Sequence, residues 1–193
     1  MNLDFIIYTG LWVAYFSLHS ILAANGLKNQ IIGLGISPNV YRILYILISI
    51  IGLFGVMVFG ATIRDEPIIA SSGGLKFVGL MMATFGIFIV KQTFRQYNLR
   101  GFLGLSNENP EGKLETGGIL SRIRHPLYSA TILIVGGFVF FKPNWTSFIF
   151  LACTLLYLAV GIYLEEKKLI KLFGDRYVEY KKRVPGLIPR WKS

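Results

Sequence analysis

One cysteine, Cys153, stands in a chain of 193 residues, so an intramolecular disulfide is impossible and a cysteine-rich metal site is excluded. Charge is scarce too: charged side chains make up 16% of the chain, against roughly 25% in ordinary soluble domains. Internal repeats and low-complexity tracts are absent, which sets aside solenoids and biased tails. Acidic residues are the rarer sign, 10 Asp and Glu against 20 Lys and Arg, leaving a net charge of +10. Such a balance suggests nucleic acid until the charges are placed along the chain.

Apolar residues are abundant, 53% of the chain, with a mean hydropathy of +0.56. They fall in runs near residues 3–24, 41–63, 75–94, 126–141 and 145–164. Most of these approach the roughly 20 residues needed to span about 30 Å of hydrocarbon. The expected fold is all-α: a polytopic membrane protein with about five transmembrane helices, forming a single integral-membrane domain over residues 1–193. No basic region precedes the first run and Ala23-Ala24-Asn25 is a poor cleavage signal, so a retained helix is expected there. Residues 25–39 read as a short loop carrying Lys28, Gly33, Gly35 and Pro38. The second span carries Gly52, Gly55 and Gly60, small residues that permit close helix contact. Residues 95–125 are polar and glycine-rich, longer than an ordinary connection, and are expected to fold over the site as a lid. The tail, residues 165–193, reads as helical over 165–182.

With five spans, residues 25–42, 91–125 and 165–193 share one side and hold 17 of the 20 Lys and Arg. The positive-inside rule then places the long loop and the C-terminal tail in the cytoplasm and the N-terminus outside, in the inner membrane of a bacterial cell. Attraction to anionic headgroups accounts for the basic charge, and nucleic acid is not needed as a partner.

That topology brings two polar clusters to one face. The first is Arg122-Ile123-Arg124-His125-Pro126-Leu127-Tyr128; the second is Glu165-Glu166, one apolar hairpin later, across the Lys142-Pro143-Asn144 turn. Pro126 suits the first turn of a helix, where its missing N–H costs nothing, so Arg122, Arg124 and His125 sit at a positive helix end fit for an anion. Two glutamates at a helix C-terminal end oppose its dipole and call for a cation, either Lys167, Lys168 or a ligand. A ligand bearing both a carboxylate and an ammonium satisfies the two clusters together. S-adenosylmethionine is one such ligand. No metal is expected.

The order Arg-His-Pro-Leu-Tyr, an apolar hairpin, residues 157–166 (YLAVGIYLEE), Phe173-Gly174-Asp175-Arg176-Tyr177, Tyr180 and Arg183-Val184-Pro185-Gly186-Leu187-Ile188-Pro189 resembles the isoprenylcysteine carboxyl methyltransferase superfamily of integral-membrane methyltransferases. Within that superfamily it is most similar to the bacterial methanethiol S-methyltransferase group. The strong resemblance covers residues 115–189; residues 12–20 (WVAYFSLHS) are more weakly similar. It implies a cytosolic S-adenosylmethionine site beneath a lipophilic acceptor entering from the bilayer. By that resemblance Arg124, His125, Pro126 and Tyr128 match the cofactor box. Glu165 and Glu166 match the acidic pair near its amino group, and Gly118, Ile119 and Leu120 match the segment near its adenosine. The chain departs from the pattern in carrying Ile119 where the family has tyrosine. It also carries Gln96-Tyr97-Asn98-Leu99-Arg100 where the methanethiol group has a histidine before a Leu-Phe-Gly-Leu-like stretch.

The implied reaction is methyl transfer to a small or lipophilic thiol, or to an isoprenylcysteine-like carboxylate. Arg124, His125 and Arg183 are the candidate catalytic residues; His19, Gln96 and Arg100 are candidate acceptor-side residues. Plainer readings stand beside these. Arg124-His125 is also compatible with an interfacial basic cluster, Glu165-Glu166 with a solvated helix end, Arg183 with a lipid-phosphate contact, and His19 with a structural hydrogen bond inside the bundle. Tyr177 and Tyr180 are expected to pack the tail against the bundle or the headgroups. A nicotinamide-dependent membrane reductase of related architecture and a non-enzymatic accessory protein are the alternative functions.

Overall fold

A computed structural model describes residues 3–95 and 114–189. Among them the chain forms α1 (Leu3–Ala23), α2 (Asn25–Gly33), α3 (Pro38–Thr62), α4 (Gly73–Phe94), a 3-10 turn (Gly118–Ser121), α5 (Pro126–Phe141), α6 (Trp145–Phe173) and α7 (Asp175–Arg183). The helices α1, α3, α4 and α6 are long and apolar enough to cross a membrane. The 16 residues of α5 reach about 24 Å at 1.5 Å per residue, short of the roughly 30 Å core. The fold is all-α and polytopic, and among the described residues the five expected apolar runs become four full-length candidate spans and one shorter apolar helix. Large apolar side chains cover the helix surfaces: Ile51 is 69% exposed, Phe77 64% and Leu156 71%. In water such a surface would aggregate, whereas lipid solvates it. The protein is an integral membrane protein.

The chain divides into two compact units, residues 1–66 with α1 to α3 and, in the second, residues 67–97 and 110–193 with α4 to α7. Aromatic rings pack the first unit. Trp12 is fully buried, with Tyr8 edge-on at 6.0 Å. Tyr8 also stacks on Phe59 of α3 at 6.5 Å, and the Tyr41 hydroxyl donates to the Leu22 carbonyl at 2.7 Å. The segment expected as a loop contains α2, which has no side-chain cap. Its Leu27 and Ile31, one turn apart, are half-buried; packing there outweighs the turn signal of Gly33, while Gly35 and Pro38 lie beyond the helix. Ser37 accepts from the Val40 N–H and Pro38 takes the first helical position, so α3 begins at residue 38 and not at 41.

Backbone contact packs the second unit. A Cβ on Gly137 would meet the Gly79 carbonyl and lie 3.0 Å from the Ala83 nitrogen; one on Gly86 would lie 2.9 Å from the Ala130 carbonyl oxygen. Gly79 and Gly86 are seven residues apart, as are Ala130 and Gly137, which places each pair on one helix face and runs α4 antiparallel to α5. Only hydrogen fits between them. Asn144 opens α6, its Oδ1 accepting from the Ser147 hydroxyl at 2.6 Å. The helix then continues well past residue 164, because Glu165 to Leu169 are sound helix formers and nothing interrupts them. It ends at Gly174, whose φ of 57° is a left-handed value that costs glycine nothing. The turn folds α7 back, burying Tyr177, Tyr180 and Val184 against Leu114, Leu169 and Phe173. The tail tyrosines thus pack on the bundle.

Candidate functional site

His125 is the N-cap residue of α5 and Pro126 its first helical residue, as the sequence predicts. The position of this helix start is set from outside the helix. The Arg124 N–H donates to the Pro185 carbonyl at 2.9 Å and the His125 N–H to the Gly186 carbonyl at 3.0 Å. The Ser129 hydroxyl donates to the Leu187 carbonyl at 2.6 Å. The returning tail is therefore a strap across the box, and a Cβ on Gly186 would lie 3.4 Å from Arg124 Nη2. A second link holds the 3-10 turn: the Tyr180 hydroxyl donates to the Leu120 carbonyl at 2.6 Å. Gly118, Ile119 and Leu120 thereby join the element that carries Tyr177 and Lys181.

The α6 helix projects past its apolar stretch and delivers Glu165 and Glu166 to the same place. Arg124 Nη1 lies 2.6 Å from Glu166 Oε1, an ion pair by distance although off the hydrogen-bonding direction. His125 Nε2 reaches the same oxygen at 3.1 Å, and His125 Nδ1 faces Glu165 Oε2 at 3.5 Å. Lys181 Nζ closes on Glu166 Oε2 at 2.5 Å. Sequence reasoning offered Lys167, Lys168 or a ligand to compensate the glutamates; the protein cations that stand at them are Arg124 and His125, just before α5, and Lys181 on α7. The anion receptor expected at Arg124 and His125 is correspondingly turned towards carboxylates.

Both ring nitrogens of His125 point at carboxylate oxygens, an arrangement that suits the imidazolium, which donates from both. Burial alone would lower its pKa. Hydrogen bonds to Glu165 and Glu166, reinforced by their charge, outweigh that and hold it above the usual histidine value. Burial likewise pushes both carboxyls up, but His125 beside Glu165, and Lys181, His125 and Arg124 around Glu166, hold them below the usual glutamate range. Tyr177 is 1% exposed. Burial, then the Glu166 charge, pushes its hydroxyl up to about 12. Tyr128 stacks on His125 with ring centres 5.5 Å apart. A Cβ on Gly161 would lie 3.6 Å from its hydroxyl, so α6 leaves room for this ring.

A profile of the phospholipid methyltransferase family matches residues 75–176. The chain belongs to that family. The match runs from α4 into the first turn of α7, the stretch that carries the box and both glutamates. Methanethiol S-methyltransferase 1 of Bradyrhizobium diazoefficiens is 31% identical over 134 residues, 67% of this chain and 45% of that protein. Methanethiol S-methyltransferase of Crocosphaera subtropica is 32% identical over 109 residues, 54% and 38% of the two chains. Protein-S-isoprenylcysteine O-methyltransferase of Schizosaccharomyces pombe is 33% identical over 85 residues, 44% and 36%. The alignments thus span less than half the length of these curated relatives.

This family member keeps Arg124, His125, Pro126, Tyr128, Glu165 and Glu166 in one cluster, with the segment 118–120 tied to it through Tyr180. Arg183, at the end of α7, is exposed. His19 belongs to the other unit, where Nδ1 lies 3.0 Å from the Ser49 hydroxyl and Nε2 2.9 Å from that of Tyr45; a hydrogen bond between α1 and α3 is its structural role. Gln96 and Arg100, and most of the segment expected as a lid, lie outside the described residues. Among the described residues no cluster of His, Cys, Asp and Glu has metal-binding geometry. Sequence reasoning missed Lys181, Gly186 and Ser129. The tail motif flagged the neighbourhood of all but Ser129, but Lys181 is hidden in the run Lys181-Lys182-Arg183, where nothing distinguishes the one that turns inward.

Proposed function

We propose that this chain is a membrane-embedded, S-adenosylmethionine-dependent methyltransferase acting on a small or lipophilic thiol, with an isoprenylcysteine-like carboxylate as the second acceptor class. The observation that carries the reading is the convergence of Arg124, His125, Glu165 and Glu166, inside the segment that defines the family. The curated relatives with methyltransferase names support it.

The residues present fit an amino-acid-bearing cofactor. Glu165 offers a half-exposed carboxylate to an ammonium, and the buried Arg124 Nε has no hydrogen-bond partner among the described residues and can donate to a carboxylate. Gly118, Ile119 and Leu120, fixed through Tyr180, would flank the adenosine part. When bound, the cofactor supplies an electrophilic methyl group on a sulfonium that leaves as a neutral thioether. The protein's task is then to hold donor and acceptor in line and keep water out, worth up to about 7–11 kcal/mol where alignment is good. With Arg124 and His125 both paired to carboxylates, positioning outweighs proton transfer in this site. Arg183, exposed at the end of α7, is a cation that could meet an acceptor carboxylate or a lipid phosphate.

The site, the tail and the C-terminus face the cytoplasm in this reading, with the N-terminus outside a bacterial inner membrane; the placement of 17 of the 20 Lys and Arg supports it. The test is isothermal titration of the detergent-purified protein with S-adenosylhomocysteine, followed by methyl transfer from labelled S-adenosylmethionine to methanethiol. Saturable binding that vanishes in a folded Glu165→Ala, Glu166→Ala double variant is the expected result. A folded wild type that binds no S-adenosylhomocysteine overturns the proposal.

A further inference from the structure

Glu165 and Glu166 are neighbours in sequence, yet successive residues on an α-helix point about 100° apart. One cannot do what the other does. The Glu166 side chain is 11% exposed, and its two oxygens are occupied: Oε1 by Arg124 at 2.6 Å and His125 at 3.1 Å, Oε2 by Lys181 at 2.5 Å. A ligand ammonium would have to displace one of three cations to reach it. The Glu165 side chain is 44% exposed. Its neighbours are His125 Nδ1 at 3.5 Å and the Tyr128 hydroxyl, and among the described residues no lysine or arginine pairs with it, so an incoming ammonium joins it without displacing one.

Resting on the methyltransferase reading, we infer that the pair is divided: Glu165 is the carboxylate that recognises the ammonium of the donor's amino-acid part. Glu166 is a positioning residue that fixes Arg124 and His125, with Lys181 as its third cation. The division explains why α7 folds back at Gly174. The turn returns Lys181 to the second oxygen of a carboxylate whose first oxygen already holds Arg124 and His125. It also separates the jobs energetically. Glu166 is bound whether or not a ligand is present, so its energy goes into the shape of the site, whereas the stronger contacts of Glu165 form only with the ligand.

The test compares wild type, Glu165→Gln, Glu166→Gln and Lys181→Met in detergent. Each is titrated with S-adenosylhomocysteine and with 5′-methylthioadenosine, which lacks the amino-acid part, and each is melted. Glutamine keeps the size of the side chain and removes the charge. Glu165→Gln should weaken S-adenosylhomocysteine by about tenfold or more, the scale of one charge-assisted hydrogen bond, and leave 5′-methylthioadenosine and the Tm nearly unchanged. Glu166→Gln and Lys181→Met should lower the Tm, which Glu165→Gln does not, and weaken S-adenosylhomocysteine through the displaced Arg124. Should Glu166→Gln fail to fold, Lys181→Met, whose own side chain is 45% exposed, carries that arm. The division is overturned if Glu165→Gln binds S-adenosylhomocysteine as wild type does, or if Glu166→Gln and Lys181→Met melt at the wild-type Tm. A wild type that binds neither nucleoside overturns the methyltransferase reading and the division with it.

Discussion

The helices of the first unit meet through side chains, those of the second through backbone. Across α1 and α3, Gly52 faces the ring of Tyr15, and a Cβ there would lie 3.1 Å from Tyr15 Cδ2. Across α4 and α5, Gly86 faces the Ala130 carbonyl and Gly79 faces the Gly137 carbonyl. A ring can rotate away from a new methyl group; a carbonyl in a hydrogen-bonded helix cannot. The histidines divide in the same way. His19 is held by the hydroxyls of Tyr45 and Ser49, which carry no charge, while His125 is held by Glu165 and Glu166, which do. The unit matched by the family profile is the one with rigid packing and charged contacts. A reacting cluster must be held to within a fraction of an ångström, and backbone contact supplies that where aromatic packing tolerates drift.

Glu166→Ala should produce the largest effect. It strands Arg124, His125 and Lys181 around a deleted carboxylate, and breaking a buried ion pair from one side costs about 3–5 kcal/mol. A fall in thermal stability no greater than that of an exposed substitution would show that the charged cluster does not hold the second unit together. The packing contrast comes next. Gly79→Ala should cost about 1–3 kcal/mol, the range for overpacking against atoms that cannot move, and Gly52→Ala clearly less, because Tyr15 can give by a few tenths of an ångström. Equal losses in the two melting curves would erase the distinction between the units.

The smallest effect is on pH dependence. The His125 pKa is raised above 6.5, so its contribution to stability is complete below that value and is lost as pH rises through the folded pKa. The glutamate pKa values are lowered below 4.5, so their contribution is complete above that value and is lost as pH falls through the folded values. Wild type should melt highest between these limits. His125→Gln should flatten the alkaline side of the profile; a profile that the variant leaves unchanged would mean that the charge on this ring does not hold the cluster.

Much of this fold is legible before any coordinates, because water and lipid discriminate so sharply. The runs at 3–24, 75–94 and 126–141 fall within about two residues of α1, α4 and α5, since hydropathy decides them. Pro126 marks the start of α5 because a proline ring fixes φ and lacks an N–H. Local signals fail at α2, where Gly33, Gly35 and Pro38 argue for a loop and contacts with α1 and α3 decide otherwise. They fail again at Gly174, where the stretch read as helical over 165–182 breaks into two helices, because a left-handed glycine leaves no mark in the helix period.

The sequence by itself determined that this protein lives in a membrane and that the Arg-His-Pro box and the paired glutamates belong together; that Gly79 and Gly86 meet Gly137 and Ala130 came from the structure. Hydropathy, helix period and motif order are local properties and can be read locally. Only the tertiary structure decided which glutamate is buried and that Lys181, from the far side of the Gly174 turn, is its partner. It alone showed that the carbonyls of Pro185, Gly186 and Leu187 strap the start of α5. Those outcomes depend on distances of a few ångströms between residues up to 61 positions apart, as between Arg124 and Pro185, and a linear pattern holds no record of such separations.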